Sequence, residues 1–310
     1  MSIVVNTNVS SMNAQRSLMS SGRELQNAME RLSTGKKINS ASDDAAGFAI
    51  AESMTAQVRG LSMAAKNAND ALGLLKVVEN ATNDVTDMLQ RIRELAVQAQ
   101  SGTNSTGDIA NLQQEANALI DEIGRVSTDT RYNGKARIGA DAANLNIQVG
   151  YNDGDVIQIT TYNIKAENLG VKVDDVSTTD ADDQVLVALK KADGTYLDIA
   201  QTALAADTSA TDQADHVDRR PGALEVITGA IEQVAMYKAE WGAGQNRLQY
   251  TVSNLMNVVE FTTAAKSRIQ DADFAVEAAK LAKAQVLQQT GTAMLAQANA
   301  APQLALQLLK

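Results

Sequence analysis

The sequence predicts a mainly α fold with a β-hairpin region, and three observations carry that prediction. Both ends of the 310-residue chain are long stretches without Cys and almost without Pro, and both carry heptads. A polar, acidic middle rich in turn residues separates them. The third observation is the length of one seam. Residues three and four apart read Gly47, Ile50, Met54, Gln57, Leu61, Ala64, Ala68, Ala71, Leu75, Val78, Thr82, Val85, Leu89, Ile92, Ala96 and Ala99. Only Gly47, Gln57 and Thr82 depart from an apolar or Ala stripe. A 3.5-residue repeat kept over so many turns means one long helix packed along its length on other helices. At 1.5 Å per residue it spans about 80 Å, far beyond an ordinary globular helix.

The elements follow in order. A first helix is expected over residues 12–32, where Leu18, Leu25 and Leu32 recur every seven with Met29, Ala14 and Ala28 beside them. Thr34-Gly35-Lys36-Lys37 reads as a glycine stop. Ser40-Ala41-Ser42-Asp43-Asp44 then restarts a helix, with Ser42 as cap and two carboxylates at the positive end of the dipole. The long helix ends near Ser101-Gly102-Thr103. A third helix follows with Ile109, Leu112, Ala116, Leu119, Ile123 and Val126 at the same spacing, and the short loop before it predicts antiparallel packing.

Beyond Tyr132-Asn133-Gly134 the pattern changes. Asn-Gly and Asn152-Asp153-Gly154-Asp155 are turn chemistry. Leu145, Ile147 and Val149, then Val156, Ile157 and Ile159, read as strands, so β-hairpins are expected over residues 135–173. Val185-Leu186-Val187 and Tyr196-Leu197, around Asp193-Gly194, suggest one more hairpin. Residues 174–220 are rich in Asp, Thr and Ala, which favours a small exposed appendage. Pro221-Gly222 marks a return to helix. Leu224, Ile227, Ile231, Val234, Trp241, Leu248, Val252, Leu255, Val259 and Ile269 share one seam, on which Trp241 is simplest as core. The last stretch, residues 272–309, is Ala-rich and amphipathic, with Phe274, Leu281, Leu287, Met294 and Leu295. Apolar residues so near both termini are unusual, because termini fray into water. Polymerisation would give them a partner.

Composition excludes several functions. The net charge is −10 with acid and base interspersed, and aromatics make up 3% of the chain. A nucleic-acid binder needs a basic face or stacking rings, so no nucleic-acid partner is expected. No run reaches the roughly 18 apolar residues of a membrane span. The opening residues have neither a basic n-region nor an apolar h-region, so no general secretory signal is expected. One histidine, His216, and no cysteine leave no two-His or thiolate metal signature and little for a nucleophilic site. No phosphate-binding G-x-x-x-x-G-K-[ST] loop is present. No catalytic residue, cofactor or metal is assigned.

Five stretches give the chain a resemblance to a known family. They are Val5-Asn6-Thr7-Asn8; Leu32-Ser33-Thr34-Gly35-Lys36-Lys37-Ile38-Asn39-Ser40-Ala41 continuing into Asp43-Asp44-Ala45-Ala46-Gly47; Asn67-Ala68-Asn69-Asp70; Ser267-Arg268-Ile269-Gln270-Asp271-Ala272-Asp273; and Gln288-Gln289 through Ala293 to Leu295-Ala296-Gln297-Ala298-Asn299. The chain resembles bacterial flagellin, the filament subunit, over residues 1–173 and 224–310.

The resemblance implies a long antiparallel α-helical rod built from N- and C-terminal segments, with a small variable outer appendage. It implies inner-tube helices over residues 1–41 and 270–310, disordered before assembly. It implies a rod from residues 42–173 and 223–269, with a surface-exposed region over residues 174–222. Implied partners are further copies of the chain, a flagellar export chaperone at the C-terminal end, the filament cap and hook-junction proteins, and a host Toll-like flagellin receptor. The implied location is extracellular, in the flagellum, after export through the flagellar type III apparatus without a cleaved signal peptide. Alternatives are a hook–filament junction protein, or a secreted coiled-coil adhesin or effector.

Three sets of residues are candidate sites. Leu18, Leu25, Leu32, Phe274, Leu281 and Leu295 are read as polymerisation contacts, against the alternative of one satisfied intramolecular bundle. Gln90-Arg91-Ile92-Arg93-Glu94-Leu95-Ala96-Val97-Gln98 resembles the receptor-recognition segment of the family. Gln90, Arg91, Leu95 and Gln98 would contribute, with Glu115 as a further contact. The alternative packs Leu95 on the third helix and pairs Arg91 with Glu115. The acidic positions Asp174, Asp175, Asp180, Asp182, Asp183, Asp212, Asp215 and Asp218 lack the calcium-loop pattern and read as a solvated surface. Ser177, Thr178, Thr179, Thr208 and Ser209 are candidates for O-linked sugar.

Overall fold

The computed structural model describes residues 7–174, 184–191, 193–200 and 222–307. His216, the sugar candidates Ser177, Thr178, Thr179, Thr208 and Ser209, and the acidic positions Asp175, Asp180, Asp182, Asp183, Asp212, Asp215 and Asp218 lie outside the described residues. The element order is α1 (Val9–Thr34), α2 (Ala45–Ala99), α3 (Thr106–Asp129), β1 (Asn144–Gln148), β2 (Val156–Thr160), β3 (Gly170–Asp174), β4 (Gln184–Ala188), α4 (Ala223–Gln270) and α5 (Phe274–Gln307). Contacts divide the chain into two compact units, Met1–Gly60 with Asn257–Lys310, and Leu61–Met256.

The caps explain the helix limits. Asn8 accepts from the Ser11 N–H at 3.1 Å and starts α1 three residues earlier than the leucine repeat suggested. Gly35 ends it in the left-handed region at φ 70°, donating to the Arg31 carbonyl. The cap of α2 is Asp44, whose carboxylate accepts from Gly47 N–H at 3.0 Å. Ser42 does not hold that place, because Asp43 accepts from the Asn39 and Ser40 N–H groups and folds residues 39–43 into a turn. That carboxylate is held below its usual range by those backbone bonds. A reciprocal Ser105–Asp108 capping box opens α3.

In the larger unit every seam position from Leu61 to Ala99 is buried. Thr82 is tolerated there because its hydroxyl bonds back to the Val78 and Glu79 carbonyls. A second stripe runs beside the first: Leu74, Ala81 and Leu95 are buried, and Met88 is half-buried against the same core. On α3 the buried positions are Ala116, Ile120, Ile123 and Ser127, a face turned slightly from the expected one. α4 contributes Val226, Ile227, Ala230, Val234, Trp241 and Leu248. It runs antiparallel to α2, since Lys238 reaches Asn83 at 2.7 Å while Gln245 reaches Glu79 at 2.9 Å.

β1 and β2 form an antiparallel hairpin with Ile147 opposite Ile157. Trp241 pins it, donating to the Thr160 carbonyl at 2.8 Å. Tyr162 stacks on Tyr237 with centroids 3.9 Å apart, and its hydroxyl donates to Glu240 at 2.6 Å, which pushes the phenol up to about 12. The other expected hairpin pairs differently. β4 is antiparallel to β3, with Val187 opposite Val171, and only a single bridge joins Lys190 to Tyr196 around Asp193-Gly194. Gly170 permits the close approach, because a Cβ there would collide with the Val187 carbonyl. Leu189, Leu197 and Ile199 then enter the core, so described residues after 184 are more than an exposed appendage.

Leu89 is fully buried, whereas Val97 on the same helix is exposed. Leu89→Ala is expected to cost about 2–5 kcal/mol in urea unfolding of the larger unit. Val97→Ala should stay within about 0.5 kcal/mol.

Candidate assembly and recognition surfaces

In the smaller unit α1 and α5 pair antiparallel, and their contacts appear in order along both helices. Asn8 donates to the Ala298 carbonyl at 2.8 Å and Ser11 to the Asn299 side chain at 2.7 Å. Leu18 packs over Gly291, where a Cβ would come within 3.2 Å of its methyl. At the far end Arg31 meets Glu277 at 3.4 Å, and Glu277 accepts from Lys280 at 2.8 Å. Ala272 N–H closes the pair on the Gly35 carbonyl at 3.0 Å.

This pair buries little. On α1 only Ser11 and Ala28 are buried, and on the described part of α5 only Glu277 and Ala284. Leu18, Leu25, Leu32, Leu281 and Leu295 are half-buried, while Phe274 is 71% exposed. Further exposed apolar groups stand beside the leucine repeat, among them Met12, Met19, Met29, Val286 and Met294. Sequence reasoning followed the seven-residue spacing; it noted Met29 and Met294 without assigning them and passed over Met12, Met19 and Val286. Two lone helices in water would leave this surface uncovered.

The second surface lies at the C-terminal end of α2. Gln90, Arg91 and Gln98 are exposed. The Arg91 guanidinium donates to Glu115 at 2.9 Å and to Glu94 at 3.0 Å, and these bonds raise its pKa. Leu95 is the correction: at 1% exposure it belongs to the core, on the second apolar stripe of α2. α3 and α4 both contribute to that core, which widens the buried face beyond one heptad seam. Of the alternative geometry, the pairing of Arg91 with Glu115 is observed. Beside it an open groove joins Gln90, Arg93 and Val97 of α2 to Thr228, Ile231 and Glu232 of α4. The α4 side of this groove was not foreseen, since nothing in the local sequence of α2 tells which helix lies next to it.

Among the described residues no cluster of three His, Cys, Asp or Glu side chains suits a metal ion, and no helix is long and apolar enough to cross a membrane.

Two family models match: the bacterial flagellin N-terminal helical region over residues 5–138 and the C-terminal helical region over residues 224–309. The chain belongs to the bacterial flagellin family. It is 42% identical to a flagellin of Xenorhabdus nematophila, with all of both chains covered. A flagellin of Bacillus subtilis is 39% identical with 99% of each chain covered, and flagellin A of Vibrio anguillarum is 34% identical over the whole of both. As a flagellin the chain is a structural protein that polymerises with its own copies into the extracellular flagellar filament of motile bacteria.

Glu277 offers a pH test of the terminal pair. Its bond from Lys280 and the nearby Arg31 hold its carboxyl below the usual range against the opposing effect of burial. The stabilisation is therefore complete above the ordinary glutamate pKa and is lost as pH falls through the lower folded value. Glu277→Gln flagellin filaments should lose this acid-dependent step, read as subunit release against pH between those two values. An unchanged acid profile would show that Glu277 contributes nothing to it.

Proposed function

We propose that the two terminal helices form the polymerisation surface, and that the α2–α3 face is read by a host receptor when the subunit is free. The exposed apolar side chains on the α1–α5 pair carry the first half of this reading. Burying one such side chain contributes about 1.5–3 kcal/mol. Several per subunit, repeated over neighbours, offset the entropy of ordering two helical ends. In this assignment residues 1–41 and 270–310 build the inner tube and order only on assembly. Residues 42–173 and 223–269 build the rod, and residues 174–222 supply the variable surface region, with Leu189, Leu197 and Ile199 anchoring it to the core.

Leu18, Leu25, Leu32, Phe274, Leu281 and Leu295, with the exposed methionines beside them, meet neighbouring subunits. An export chaperone would grip the C-terminal segment before assembly. The filament cap and hook-junction proteins would meet the same terminal helices at the filament's two ends. Export runs through the flagellar type III apparatus. No group in this reading turns over substrate.

For the Toll-like flagellin receptor, Gln90, Arg91, Gln98 and Glu115 present an exposed polar face, supported by the fixed Arg91–Glu115 geometry. Leu95 acts from beneath as packing. Neighbouring subunits would occupy this face in the filament, so free subunit signals and polymer does not.

Leu295→Asp is expected to abolish filament growth on seeds while leaving the helix content of the larger unit intact. Filaments of ordinary length from that variant would remove the terminal pair from the assembly surface. Arg91→Ala is expected to lower activation of receptor-expressing reporter cells with an unchanged thermal transition. Full activation by this variant would take Arg91 out of the recognition face.

A further inference from the structure

The described residues contain one Asn-Gly pair, Asn133-Gly134, and two Asn-Ser pairs, Asn39-Ser40 and Asn104-Ser105. Both kinds are chemically labile dipeptides, because a small following residue leaves its backbone nitrogen open to attack the asparagine side chain. The structure treats them differently. At Asn39-Ser40 the attacking group is occupied: Ser40 N–H donates to the Asp43 carboxylate at 3.0 Å. The Asn39 amide is tied as well, donating to the Lys36 carbonyl at 3.3 Å. At Asn104-Ser105 the Ser105 N–H is likewise bonded to an aspartate, Asp108.

At Asn133-Gly134 neither restraint exists. Both residues are exposed, and among the described residues neither the Asn133 side chain nor the Gly134 N–H has a hydrogen-bond partner. The turn is closed by the reciprocal backbone bonds of Tyr132 and Lys135 alone, an isolated bridge outside any sheet. Asn133 is also the one non-glycine residue with positive φ, at 50°, among the described residues. Arg131 donates to the Gly134 carbonyl at 3.4 Å, on the following peptide group, and leaves the Gly134 N–H free.

We propose that Asn133 is a site of spontaneous deamidation and isomerisation in the folded subunit. The Gly134 nitrogen, after losing its proton to solvent base, bonds to the Asn133 side-chain carbonyl carbon. The bond from that carbon to the side-chain nitrogen breaks, ammonia leaves and a cyclic imide remains. Water adds to either imide carbonyl and opens the ring to aspartate or to its β-linked isomer. The net change is amide plus water to carboxylate plus ammonium, with water the only co-reactant.

The product alters a defined place. Asn133 rims a groove with Asn67, Asp70, Lys135, Arg137 and Gln148. A new carboxylate there adds negative charge between the two cations and Asp70. The isomer also lengthens the backbone of the turn that carries Tyr132, whose hydroxyl donates to the Asp70 carbonyl of α2 at 3.0 Å.

The test follows Asn133 and Asn39 by peptide mass spectrometry in full-length monomer held at mildly alkaline pH. The urea-unfolded chain provides the reference rate for each site. Folding should leave Asn133 within about twofold of its unfolded rate, while Asn39 slows by about tenfold or more behind its hydrogen bonds. Asn133→Asp, as a charge standard on ion exchange, should co-elute with the aged aspartate form. Protection of Asn133 equal to that of Asn39, or an intact Asn133 in a chain whose unfolded form converts, would overturn the proposal.

Discussion

The constraint on which the larger unit depends is the double apolar stripe of α2. One stripe runs from Leu61 to Ala99; the other takes Leu74, Ala81, Met88 and Leu95. Together they are too wide for one partner helix to cover. α3 and α4 both supply residues to the shared core, and Ile157 and Ile159 of β2, with Ile164 beyond the hairpin, join it. The polar ties are placed where this core meets its edges. Trp241 holds the end of β2, Gln113 accepts from Ile199 N–H and donates to the Leu197 carbonyl, and Asp121 takes both Lys190 and Tyr196. Each satisfies backbone or charge that would otherwise end unpaired beside an apolar surface.

The smaller unit obeys the opposite rule. Its two terminal helices carry shorter heptads, they pair with one another among the described residues, and many of their apolar side chains stay in water. The larger unit buries its core within one chain, while the terminal pair leaves apolar side chains exposed. That division suits a subunit that must exist free and then become part of a polymer. The polar ends of the pair, Asn8 and Ser11 at one extreme and Arg31, Glu277 and Lys280 at the other, fix its register without adding apolar area.

Much of this was legible in the residues. Period gave the five helices to within a few positions, Gly35 marked its stop, and turn chemistry located the β1–β2 hairpin. What escaped detection was non-local. Val185 to Val187 looked able to pair with Tyr196-Leu197, the nearest strand-like run, but β3 offered a longer ladder with Gly170 at the close approach. Ser42 and Asp44 both suit a cap, and only the competing bonds of Asp43 decide between them. Leu95 was read as surface because one seam was traced on α2 and its neighbour seven residues apart was not. Gln90, Arg91, Gln98 and Glu115 are exposed, whereas Leu95 lies inside.

Amide hydrogen exchange on α1 and α5, compared between monomer and filament, tests the claim that assembly supplies the missing cover. Fast exchange along both helices in the monomer, with strong protection in the filament and little change in the buried stripe of α2, is the expected result. Terminal helices already as protected in the monomer as Leu75 to Ile92 would contradict it, because their packing would then be complete within one chain.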